Sequence, residues 1–279
     1  MTDRRLTPCN ARVAHVSLRG KVKSVSFVEG EMRTVIAPVA DILREPGGGL
    51  ERQLLFGDSF LVLEPDSGAG YCFGQAQDGN YVGYVKQVNL GAFVEPTHII
   101  CSLGAHVYPE PQLKTVPQMG LPFAAYITVA GAENGYCQLV TGGFVPLQQI
   151  APLGQNFTDF VTVAESFLRV PYLWGGDSNT GLDCSALVHI ALRAQGIPCP
   201  RDSDLQEKTL GTVLAQDVEL QRGDLVFWKG HVGIMQDGAQ ILHANAHFMA
   251  VTSEPLADVC ARVEAAGEGQ ITSRRRLSD

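Results

Sequence analysis

The feature that most constrains this chain is a cysteine at the head of a helix, followed later by two histidines on a hairpin. Asn179, Thr180 and Gly181 are turn residues, Asp183 suits a helix N-cap, and Leu187, Ile190, Ala191 and Ala194 recur at helical spacing up to Gly196, a C-terminal stop. Cys184 therefore falls in the first turn of a helix about three turns long. The position matters because only a thiolate attacks a carbonyl, and a free cysteine with a pKa near 8.5 is mostly protonated at neutral pH. Unsatisfied N–H groups and the helix dipole are expected to lower that value, and a nearby histidine would take the proton as general base.

The histidines can be placed by register. Residues 232–235 and 239–242 read as strands around Asp237 and Gly238, a strong hairpin signal. A two-residue loop of Asp237 and Gly238 would send His231 and His243 to opposite faces. A three-residue loop of Gln236, Asp237 and Gly238, with the glycine left-handed, sets the two histidines directly opposite each other; this register is predicted. A zinc site built from His243, His247 and Cys184 or Cys199 is the competing constellation. Four residues of strand span about 13 Å, however, so His243 and His247 do not easily share one ion, and neither a metal nor an organic cofactor is expected.

Upstream the hydrophobic period changes. From about Arg33 to Ile150 short alternating runs such as residues 59–63 and 81–85 are broken by glycine-rich turns at 45–49, 66–68, 78–80 and 142–143. This is an all-β pattern of strands suited to small barrels, and it occurs twice, residues 52–62 leading to 83–85 and residues 116–123 leading to 143–146. A length of 279 residues with 45% apolar and 18% charged side chains suits a globular chain of about two domains. A net charge of −8 argues against nucleic acid or an anionic membrane as an obligate partner. Arg274, Arg275 and Arg276 read as solvated ends of a last strand.

Pro171, Tyr172, Trp174, Gly175 and Gly176; Asp183, Cys184 and Ser185; Pro200, Arg201 and Ser203; Gly223 and Asp224; His231, Val232 and Gly233; and Leu242, His243 and Ala244 form six short motifs. In this order they resemble the NlpC-type cell-wall cysteine peptidases, papain-like in architecture. The resemblance implies Cys184 as nucleophile, His231 as base and His243 as the polar residue orienting it. It also sets the Tyr172 hydroxyl near the oxyanion beside the Cys184 N–H, and Ser185 in contact with substrate. Trp174 reads as ordinary aromatic packing at a strand start. The two upstream segments resemble bacterial SH3-like barrels. The expected fold is thus α+β, a papain-like NlpC-type catalytic domain preceded by two small SH3-like β-barrels. Its parts are an arm at 1–32, barrels at 33–95 and 96–152, and the catalytic domain at 153–279.

Two barrels ahead of such a domain resemble the subgroup that cleaves γ-D-glutamyl-diamino acid bonds in small muropeptides with a free N-terminal L-alanine. By that resemblance Asp183, Ser203 and Tyr81 surround the alanine ammonium, with an acid from the first barrel. Glu51 is the candidate, with Asp58 and Glu45 close behind. Carboxylates suit the task, since a buried ammonium is costly unless paired and hydrogen-bonded. The expected partner is a small peptidoglycan-derived peptide, L-Ala-γ-D-Glu-diamino acid, and the expected role is recycling of murein peptides. No apolar stretch of 7–15 residues follows the N-terminal charges, none reaches the roughly 18 needed to span a bilayer, and seven scattered cysteines lack paired spacing, so a cytoplasmic protein is expected. The alternatives are a papain-like amidase or acyltransferase on another substrate and a non-catalytic cell-wall binding protein.

Overall fold

The structure, a computed structural model, describes residues 3–155 and 159–277. The chain divides into two compact units, Met1–Leu153 and Gly154–Asp279.

In the first unit the alternating runs form a seven-stranded sheet in the order Leu50–Leu55, Val39–Leu43, Val82–Lys86, Tyr71–Ala76, Ser59–Glu64, Glu31–Val35, Leu90–Ala92. Its first strand starts at Glu31, two residues ahead of the expected boundary. Alternate residues turn inward and meet in one core that includes Val35, Ile42, Leu54, Phe60, Val62 and Val85, so the sheet wraps around a single apolar centre. Upstream, Val13–His15 pairs in parallel with Ser26–Val28, and Val13 packs with Leu63, Phe73 and Val82. This part of the arm is therefore sewn onto the first barrel. The second β region is built from sheets of two and three strands between His98 and Pro152. Ile99, Ile100, Val107, Leu121, Ile127 and Val145 are buried within it. Gly57 carries the junction: Tyr126 N donates to the Phe56 carbonyl at 2.9 Å, and a Cβ at Gly57 would lie 2.0 Å from the Tyr126 carbonyl oxygen. Only glycine admits that approach, and its φ of +84° is also one glycine adopts at little cost.

The second unit comprises helices α1 (Phe160–Glu165), α2 (Cys184–Ala194), α3 (Ser203–Thr209) and α4 (Leu256–Ala265). Asp177–Ser178 pairs with Gly181–Leu182 in a short hairpin ahead of α2, and the main sheet consists of β1 (Thr212–Val213), β2 (Leu225–Trp228), β3 (His231–Met235), β4 (Gln240–Asn245), β5 (Ala250–Pro255) and β6 (Ser273–Arg276), in the order β1-β6-β2-β3-β4-β5. All eleven residues of α2 are buried, so it is a central helix and not one with a single apolar stripe. It stops where expected, with Gly196 at φ +69° and the Ile197 N–H returning to the Leu192 carbonyl. Strand β6 lies inside the sheet, so Arg274–Arg276 are half-buried rather than solvated ends, and Arg276 closes a two-point pair on the buried Asp224. Among the described residues no helix is long and apolar enough to cross a membrane.

The hairpin carries a correction. Ile234 pairs with Leu242 and Met235 with Ile241, and the Gln236 N–H donates to the Gln240 carbonyl, so the loop is Asp237, Gly238 and Ala239. The expected loop lay one residue earlier, and Gly238 is not left-handed. The cause is the Asp237 carboxylate, which accepts the backbone N–H groups of Ala239 and Gln240 at 2.7 and 2.8 Å and fixes the turn around itself. The shift is an even one. His231 and His243 become diagonal neighbours instead of direct partners, yet they keep one face.

Candidate active site

Strand β3 delivers His231 and strand β4 delivers His243, with His231 Nε2 and His243 Nδ1 2.8 Å apart. Gly233 makes this contact possible: a Cβ there would sit 3.2 Å from the His243 Cβ and 2.6 Å from the Ile241 Cδ1. Trp228 lies directly opposite His231 on β2 and packs its ring 5.8 Å from the imidazole. Behind His243, Glu254 on β5 accepts at 2.8 Å from Nε2, and Arg262 on α4 grips that carboxylate at 2.6 and 2.8 Å. Both ring nitrogens of His243 are thus occupied, which removes it as a metal ligand, and His247 packs edge-on against Phe248.

Cys184 opens α2 as expected, under the Asp183 cap. A cavity of about 860 Å³ brings Tyr172, Cys184, His231 and His243 to one surface, together with Trp228 and Arg262. The thiol's electrostatics run against the sequence argument. Burial pushes Cys184 up to about 12 and the Asp183 charge adds to the rise, outweighing the N–H of Val232, the Arg201 charge and the N–H of Ser185. Burial likewise lowers His231 to about 3, helped by His243 and Arg262 against the opposing pull of Glu254. Both shifts favour the neutral forms, a thiol and an unprotonated imidazole on one cavity. Tyr172 is held above its ordinary range by burial first, then by its neighbours Cys184 and Asp183, so its phenol keeps its proton and remains a donor.

Asp183, Ser185 and Ser203 do not line this cavity. The Asp183 carboxylate is spent inward: it accepts from the Ala186 and Gly175 N–H groups at 2.9 and 3.0 Å and from the Ser185 hydroxyl at 2.9 Å. Fully buried Arg201 donates to both of its oxygens at 3.1 Å, to Ser185 Oγ, and through Nε to Asp177. Ser203 is buried at the head of α3, and Gln206 of that helix donates to the Ser185 carbonyl at 2.8 Å. In this structure these residues hold the start of α2. Trp174 departs from the packing expected of it, being 68% exposed.

In the first unit Tyr81 has its ring in the barrel core and its hydroxyl 3.4 Å from Glu51 Oε2. Of the three acids weighed, Glu51 is within hydrogen-bond reach of Tyr81, while Asp58 accepts the Leu55 N–H and Glu45 lies over Gly48 on an exposed loop. Arg4 already pairs with both Glu51 oxygens, at 2.7 and 2.8 Å.

Sequence reasoning did not find Glu254, Arg262, Arg201 as a structural ion, or Trp228. For Glu254 a signal existed: on β5 it shares the strand face of Thr252, the residue directly opposite His243.

Residues 169–261 match the NlpC/P60 family, and residues 42–90 match the bacterial dipeptidyl-peptidase SH3 domain. The chain is 29% identical to the gamma-D-glutamyl-L-lysine dipeptidyl-peptidase of Bacillus subtilis (strain 168), over 70% of this chain and 72% of that protein. It is 33% identical to the probable endopeptidase NlpC of Escherichia coli (strain K12), over 34% of this chain and 70% of that one. The fold is similar to the crystal structure of an NlpC/P60 family protein from Bacillus cereus ATCC 10987, with a TM-score of 0.73 and 18% identity over 88% of this chain and 99% of that one. With a cysteine and two histidines on one cavity, and with bacterial SH3 sequence ahead of it, the chain belongs to the NlpC/P60 family of peptidases, in the group that carries SH3-like domains.

Proposed function

We propose that the protein is a cysteine endopeptidase that hydrolyses the γ-D-glutamyl-diamino acid bond of peptidoglycan stem peptides bearing a free N-terminal L-alanine, in cytoplasmic recycling of murein peptides. The observation that carries the reading is the His231–His243 contact at 2.8 Å on the cavity that also exposes Cys184. Because thiol and imidazole both rest neutral, deprotonation is coupled to attack. His231 Nδ1, the nitrogen not held by His243, takes the thiol proton as Cys184 Sγ bonds to the carbonyl carbon. The Tyr172 hydroxyl and the Cys184 N–H donate to the developing oxyanion. As the tetrahedral species collapses, the C–N bond breaks, the leaving amine takes the proton from His231, and a thioester remains. Water then attacks that carbonyl, gives a proton to His231 and releases the γ-carboxylate, and the proton returns to sulfur.

Tyr81 and Glu51 are assigned to the substrate's ammonium, which would take the place Arg4 holds on Glu51. None of the seven cysteines forms a disulfide bond among the described residues, as a protein working in a reducing compartment requires. The test compares a free-amine tripeptide with its N-acetylated form. Loss of cleavage on acetylation is expected, and equal cleavage of both removes the amine-recognition reading.

A further inference from the structure

A histidine can orient a catalytic base only if its own tautomer is fixed. His243 meets His231 through Nδ1 and Glu254 through Nε2, each at 2.8 Å. An ionised carboxylate only accepts, so the proton of neutral His243 must sit on Nε2, leaving Nδ1 as an acceptor. That acceptor obliges His231 to carry its own proton on Nε2. His231 Nδ1 then holds the lone pair needed to receive the Cys184 proton. We infer that Glu254 is a positioning residue that sets, through His243, the reactive tautomer of His231, and that Arg262 keeps the relay neutral. The inference rests on the reading of Cys184, His231 and His243 as the reacting set.

Arg262 has a separate task. A carboxylate alone beside His243 favours imidazolium, which donates from both nitrogens and could no longer accept from His231. Burial keeps His243 below the ordinary histidine range against the pull of Glu254, and Arg262, which binds both Glu254 oxygens, adds its charge to that lowering. Glu254 itself stays ionised, since the hydrogen bonds from Arg262 and His243 outweigh its burial. The titratable and charged groups against His243 are His231 on β3, Glu254 on β5 and Arg262 on α4, and Tyr172, Cys184, Lys229, His247 and Glu268 line the same cavity.

The test needs no peptide substrate. Nitrogen-15 NMR of labelled histidines reads the tautomers, and iodoacetamide labelling of Cys184, followed by peptide mass spectrometry, reads the relay. In that reaction sulfur displaces iodide and its proton passes to His231. In the wild type both His231 and His243 are expected with the proton on Nε2. Glu254→Ala is expected to populate the Nδ1–H form of His243 and to slow alkylation at pH 7 by about 10- to 100-fold, by analogy with the loss when the residue orienting a metal-bound histidine is removed. Arg262→Met keeps the acceptor and removes the cation, so the acid-side loss of alkylation should move upward by about one pH unit. The inference is overturned if Glu254→Ala alkylates within twofold of wild type, or slows while His243 keeps its Nε2–H form. It is also overturned if Arg262→Met leaves the pH profile in place, a result available even if Glu254→Ala does not fold. A wild type that shows the tautomers and the alkylation but cleaves no muropeptide supports this inference while removing the proposed substrate.

Discussion

Arg201→Met is the perturbation whose size the structure fixes best. The guanidinium is fully buried and donates to Asp177, to both oxygens of Asp183 and to Ser185. Methionine conserves much of the volume, so the change is electrostatic: it removes the cation from between two buried carboxylates. Truncating one side of a buried charge cluster costs about 3–5 kcal/mol, because the remaining charges lose their guanidinium while staying out of water, Asp177 keeping His189 Nδ1 at 3.6 Å. Against a total stability of about 5–15 kcal/mol that is a large fraction. At roughly 4 °C per kcal/mol the transition of the second unit should fall by about 12–20 °C. Differential scanning calorimetry measures it, with the triple variant Arg201→Met, Asp177→Asn, Asp183→Asn as control. Asparagine still caps α2, so removing the stranded charges should recover most of the loss. A fall of less than about 4 °C, or no recovery in the triple variant, would show that the cluster does not hold the start of α2 in this way.

The remaining expectations concern the relay and the first barrel. Since His231 is held at about 3, chiefly by burial and then by His243 and Arg262, the acid limb of kcat/KM should fall near pH 3; a limb centred near the ordinary value of about 6.5 contradicts the assignment. The same depression ties stability to pH. The unfolded chain takes up the proton first, so the urea midpoint should drop as pH falls from about 6.5 toward 3. Gly233→Ala drives a Cβ to 2.6 Å from Ile241 and 3.2 Å from the His243 Cβ, and should cost about 1–3 kcal/mol by overpacking, together with activity; a variant as stable and active as wild type refutes the role given to this glycine. Arg4→Ala frees the Glu51 carboxylate and should lower KM for free-amine peptides, whereas Glu51→Gln should raise it; unchanged KM in both removes Glu51 from recognition.

Cys184, His231 and His243 were legible because each obeys a local rule. An Asp cap followed by apolar spacing opens a helix, and the two-residue repeat of a strand fixes which face a side chain takes. The loop was misplaced by one residue because the deciding bonds come from the Asp237 side chain to the backbone, and several loops fit the same dipeptide. Even so, the face survived, since parity tolerates an even slip. The direction of the thiol shift was not legible. A helix terminus is visible in sequence, whereas the burial that outweighs it comes from sheet and helices folded around the site. Asp183 shows the same limit. Its motif marks it as important, but only the fold reveals that Arg201, distant in sequence, claims its carboxylate from the inner side. Glu254 and Arg262 stand on separate elements, and nothing local announces that they meet behind His243.

The central claim is tested most directly by mass spectrometry of L-Ala-γ-D-Glu-diaminopimelate incubated with wild type and with Cys184→Ala. The account predicts release of L-Ala-γ-D-Glu and free diaminopimelate by the wild type, with no cleavage by the variant. Intact tripeptide with the wild type, or equal cleavage by both proteins, would contradict it.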